Sequence, residues 1–84
     1  MKHASHPQIV KRLKRAHGHL GSVLAMFADG RSCVDLAQQL QAVESAVANA
    51  KSELIHDHIE HCLGGGPAAD GAVLKELKQL TKYL

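Results

Sequence analysis

The chain has no tryptophan, one phenylalanine (Phe27) and one tyrosine (Tyr83) among 84 residues. With so little aromatic bulk, its core must come from Leu, Val, Ile and Ala, which suit closely packed helices and not a β-sandwich. No apolar run approaches the roughly 18 residues that a membrane span needs. The stretch Met1 to Pro7 is polar and carries His3 and His6 where a secretory signal would have an apolar segment. Cysteine is scarce as well. Two cysteines without a secretion signal read as reduced thiols, so a cytoplasmic location and no membrane partner are expected. The net charge of +2 is too small to establish a polyanionic partner. No general acid–base pair stands out, so an enzyme is not expected.

What is abundant is histidine, with seven in a chain that is long enough for one domain only. A chain this short buries a modest share of its surface and often needs a metal or a partner chain. Residues 1–84 read as a single all-α domain of three helices, at about 7–29, 32–63 and 70–84. Pro7 opens the first helix, and Ile9, Leu13, Ala16, Leu20, Val23 and Phe27 form its apolar stripe. Gly30 suits the left-handed position that ends it. Ser32 with Asp35 resembles a capping box for the second helix. No Gly or Pro follows until Gly64, which leaves roughly 45 Å of continuous helix at 1.5 Å per residue. Leu36, Leu40, Val43, Val47, Ala50 and Leu54 keep a near-heptad spacing along it, a seam that wants a partner helix. After Gly64-Gly65-Gly66-Pro67, Asp70 can cap a third helix carrying Val73, Leu77, Leu80 and Leu84.

His58 and Cys62 stand four residues apart, one turn apart on one face of the long helix. Imidazole and thiolate together suit Cu(I), Ni(II), Co(II) or Zn(II), but a tight site needs a third ligand. The one other cysteine, Cys33, precedes His58 by 25 residues, roughly 37 Å along a straight helix. It cannot join the pair within one chain. It can join from an antiparallel second copy, and a twofold dimer would then build two equivalent sites. Near the N-terminus, Lys11-Arg12-Leu13-Lys14-Arg15 concentrates four positive charges.

The Cys33, His58, Cys62 pattern resembles the Cys-His-Cys ligand set of the CsoR/RcnR/InrS/FrmR family of metal-sensing transcriptional repressors. So do the basic Arg12-Leu13-Lys14-Arg15-Ala16-His17-Gly18-His19-Leu20 stretch, Gly30-Arg31-Ser32-Cys33, and Ala37 to Val43. The resemblance covers residues 8 to 63 well and the third helix in outline. It implies a three-helix protomer, an antiparallel four-helix-bundle dimer and a dimer-of-dimers tetramer. It also implies that operator DNA is bound by the metal-free form and released on metal binding, derepressing a metal efflux gene. Arg12 and Arg15 would face DNA, helped by Lys11, Lys14 and Lys51. Arg12, Arg15 and His19 are expected on a stripe opposite much of the apolar face, and such side chains contact mainly phosphate. Where many members carry an Arg-Gly pair, this chain has Glu44-Ser45, which removes a positive charge.

Two sulfurs and one nitrogen suit Cu(I), whereas Ni(II) and Co(II) sensors of the family recruit a further nitrogen from the N-terminal segment, for which His3 and His6 are candidates. Copper sensors also place a supporting Tyr before the first Cys, here Ser32, and a supporting Glu in the third helix, for which Glu76 is the one candidate. These departures favour Ni(II) or Co(II) as inducer, with Cu(I) the alternative. His56 and His61 are expected to be solvated or packing residues, and His17 and His19 to be surface residues. Two other functions fit the same residues: a persulfide or redox sensor using Cys33 and Cys62, and a metal carrier without a DNA role.

Overall fold

A computed structural model describes the backbone of residues 5–64 and 71–84 and the side chains of 5–60 and 71–84. All the regular structure described is helical: α1 His6–Ala28, α2 Cys33–Gly64 and α3 Gly71–Thr81. Pro7 sits in the first turn of α1, where its missing N–H costs nothing. The end of α1 is set by Gly30, whose φ is +70°. Gly30 N–H donates to Phe27 O at 3.2 Å and Arg31 N–H to Met26 O at 3.2 Å, the paired bonds of a Schellman motif. Two residues later Ser32 Oγ accepts the Asp35 N–H at 3.1 Å and so caps α2. Asp35 in turn pairs with Arg31 at 3.5 Å. This compact turn reverses the chain, and α1 and α2 pack as an antiparallel hairpin.

The apolar stripe expected on each helix divides in two. Ile9, Ala16 and Val23 of α1 are buried, as are Leu36, Val43 and Ala50 of α2. Each set repeats at seven residues, so Ile9 lies level with Ala50, Ala16 with Val43 and Val23 with Leu36. Met26 packs against the Val23–Leu36–Val43 cluster. The other half, Leu13, Leu20 and Phe27 with Leu40, Val47 and Leu54, stays exposed on one side of the hairpin. The described chain measures 57 × 23 × 14 Å. Its thinnest dimension is little more than one helix diameter, so no second layer covers that side.

Among the described residues α3 packs on α2 alone. Val73, Leu77 and Leu80 are half-buried while Leu84 is exposed. The helix stops at Thr81, short of the expected Leu84, and the chain closes in turns, with Tyr83 N–H donating to Leu80 O at 3.0 Å. Bonds of this i→i+3 kind commonly tighten a helix end. The expected cap at Asp70 lies outside the described residues. Among the described residues no helix is long and apolar enough to cross a membrane.

Candidate functional site

The proposed ligands are distributed by the long helix. α2 runs without interruption from Cys33 to Gly64. Cys33 is its first residue and an exposed free thiol. His58 lies toward the other end, with its side chain 20% exposed. Cys62 follows one turn later on the same helix, and its side chain lies outside the described residues. The unbroken helix keeps the two ends roughly 37 Å apart, and among the described residues no three His, Cys, Asp or Glu side chains gather in one place.

The ligand positions share an arc of α2. Cys33, Leu40, Val47 and Leu54 recur at seven residues, and Lys51 and His58 fall within about 60° of them at 100° per residue. Cys33, Leu40, Val47, Lys51 and Leu54 are exposed there, while His58 is half-buried. Lys51 lines an apolar groove with Ile9, Leu13, Val47, Ala50 and Leu54 on that same side.

Glu76, the one candidate for a supporting carboxylate, approaches from α3. Its Oε1 lies 3.3 Å from His58 Nε2. A carboxylate at this place can orient an imidazole so that its opposite nitrogen is left for a ligand. Ser32, at the position of the supporting Tyr, spends its hydroxyl on the α2 cap. His6 occupies the first turn of α1, which the antiparallel hairpin brings to the His58 end of α2. His3 lies outside the described residues, as does the side chain of His61. His56 is exposed, with Nδ1 3.4 Å from Ser52 Oγ.

Lys11, Arg12, Lys14 and Arg15 are all exposed. The Arg12, Arg15 and His19 stripe, however, does not lie away from the helix packing. It runs along the edge of the α1–α2 seam and meets polar groups of α2. Arg12 Nη1 lies 2.8 Å from Glu53 Oε2. His19 Nε2 lies 2.6 Å from Gln39 Oε1, so His19 is half-buried where a surface residue was expected, while His17 is exposed. Arg12, Arg15 and His19 border a shallow depression with Ala46 and Asn49. Glu53 and Gln39 are the residues that sequence reasoning missed. Laying the two seven-residue sets against each other in antiparallel register would have pointed to Gln39, because it stands nearly level with His19.

A family profile described as metal-sensitive transcriptional repressor matches residues 5–83. The copper-sensing transcriptional repressor CsoR of Bacillus subtilis is 36% identical over 81 residues, covering 89% of this chain and 80% of that protein. The copper-sensing transcriptional repressor RicR of Mycobacterium tuberculosis is 35% identical over 79 residues, covering 88% of this chain and 82% of that protein. CsoR of Mycobacterium ulcerans is 35% identical over 77 residues, and there the chain spans 65% of the relative's length.

Proposed function

Because the chain belongs to the metal-sensitive transcriptional repressor family, we propose that it holds operator DNA when metal-free and lets it go when a metal ion is bound between two copies of the chain. The observation that carries this reading is the unbroken α2, which sets Cys33 and His58 toward opposite ends of the arc that carries the exposed Leu40, Val47 and Leu54. Antiparallel pairing of that face with a second copy would bring Cys33 of one protomer to His58 and Cys62 of the other, twice per dimer. The exposed apolar side chains Leu13, Leu20, Phe27, Leu40, Val47 and Leu54 support a dimer.

Two thiolates and an imidazole make a donor set suited to Cu(I). Glu76, the one candidate for the supporting carboxylate, lies 3.3 Å from His58, which favours copper, and the relatives above are named for copper sensing. Cu(I) is therefore our first choice of inducer. Ni(II) or Co(II) is the second reading, favoured by the place of His6 at the same end of the hairpin as His58. When bound, the ion supplies bonds to both protomers. The chain's own residues do the rest. Cys33 follows directly on the turn that joins α1 to α2, and His58 is linked to α3 through Glu76, so a strain at either ligand reaches a second helix. Lys11, Arg12, Lys14 and Arg15 would meet DNA phosphates, giving affinity that falls with salt. A dimer and a dimer-of-dimers tetramer would present this surface more than once.

Gel-shift titration with the promoter of the chain's own gene tests the reading. Binding should be sequence-dependent and should be reversed by Cu(I). His58→Ala should keep DNA binding but lose the metal response, whereas a pure dithiol sensor would keep its response and a carrier would not bind DNA. His6→Ala and His3→Ala should leave the Cu(I) response intact. If Ni(II) and not Cu(I) releases the native chain from DNA, and a planar Ni(II) spectrum is lost in these variants, nickel replaces copper.

A further inference from the structure

Two charges interrupt the open apolar face of α2. Glu44 and Lys51 are both exposed and lie on the arc of Cys33, Leu40, Val47 and Leu54. Among the described residues neither has an ion-pair partner within the protomer. They stand seven residues apart, roughly 10 Å along the axis, too far to pair with each other. A bare carboxylate and a bare ammonium on a face that packs against another helix would be costly unless something meets them.

The register implied by the metal ligands meets them. Cys33 lies 11 residues before Glu44. His58 and Cys62 lie 11 residues after Val47 and Lys51. Eleven residues are three helical turns within about 20°. A step of three turns toward the centre of the dimer therefore replaces Cys33 by Glu44 on one helix, and His58 and Cys62 by Val47 and Lys51 on the other. Glu44 then faces Lys51 of the second copy as Cys33 faces Cys62. In a twofold dimer the contact is reciprocal, so it occurs twice, on either side of an axis near Val47.

We propose that Glu44 of each protomer pairs with Lys51 of the other, and that these two pairs set the antiparallel register and select a second copy of this chain as the partner. Polar groups in an otherwise apolar seam act in this way, since every shifted or parallel alignment leaves them unmatched. The inference rests on the cross-protomer site proposed above. It gives Glu44, which stands where much of the family carries Arg, a positive role. It also turns Lys51, expected among the DNA-facing residues, toward the dimer seam.

Charge reversal in the full chain tests it, with association read by sedimentation equilibrium and helicity by circular dichroism. Glu44→Lys alone and Lys51→Glu alone should each raise the dimer dissociation constant about tenfold or more, because each puts like charges together twice. The double variant Glu44→Lys/Lys51→Glu should recover to within about threefold of the native value. Mixing the two single variants should give mostly mixed dimers, since both pairs are then matched. This last readout holds even if one single variant alone is poorly folded. The ion pair is overturned if mixing gives only the statistical share of mixed dimers, or if the double variant pairs as weakly as the singles. Thiol cross-linking of the native chain separates the two proposals. If Cys33 of one protomer links to Cys62 of the other while the charge variants pair normally, only the ion pair falls. A native chain that stays monomeric overturns both.

Discussion

At the scale of single residues, the contact that matters most is between His58 and Glu76, 3.3 Å apart. Glu76→Gln keeps the shape of the side chain but removes the negative charge that, on the proposed function, would steady a metal-bound imidazole. It should weaken metal affinity by about 10- to 100-fold while leaving apo-state DNA binding unchanged, as read by competition titration with a Cu(I) chelator. Equal affinity in the variant would show that Glu76 has no part in the site. The sequence marked Glu76 as a candidate and could go no further. The Gly64 to Pro67 break leaves the direction of α3 open, and no spacing rule crosses such a break. The spacing of Cys33, His58 and Cys62 was legible because one uninterrupted helix relates all three by simple arithmetic. Arg12 was legible as a surface cation, but its Glu53 partner was not, because that pair crosses from one helix to another.

At the scale of elements, the hairpin turn was readable almost atom by atom. Gly30 and Ser32 were expected to end α1 and cap α2, and they do. The role of Gly30 is conformational, since a Cβ there would meet nothing within 4 Å. Gly30→Ala should destabilise the fold by about 1–2 kcal/mol, the cost of a left-handed residue with a side chain. Gly21 also faces open space, but it lies inside α1 without a positive φ. Gly21→Ala should therefore stabilise by about 0.5–1 kcal/mol. Urea melts at one fixed protein concentration, which removes the effect of association, should show these opposite signs. A Gly30→Ala variant as stable as the native chain would mean that the turn can re-form without a left-handed residue. What the sequence could not resolve was the division of each apolar stripe. All six positions on α1 share a periodicity, and only packing decides that Ile9, Ala16 and Val23 face α2 while Leu13, Leu20 and Phe27 do not.

At the scale of the whole molecule, the described chain is a plate one helix thick with an apolar side left open, and the proposed ligands Cys33 and His58 lie toward opposite ends of α2. A dimer whose sites each draw on both chains has a consequence that no site within one chain can have. Cys33→Ser removes the first ligand from one end, and Cys62→Ser removes the last from the other. Either variant alone should bind no metal tightly. In a mixed dimer, one site has lost both cysteines, but the other joins the intact Cys33 of one chain to the intact His58 and Cys62 of its partner. Unfolding and refolding an equimolar mixture should therefore restore about a quarter of the native sites, since half of the dimers are mixed and each carries one good site of two. Refolding matters here, because subunit exchange in a stable dimer can be slow. Stoichiometric Cu(I) titration of the refolded mixture counts the sites directly. Zero recovery, with mixed dimers shown to be present by mass spectrometry, would place each site within a single chain. Such a site would need a bent or broken α2, contrary to the continuous helix from Cys33 to Gly64.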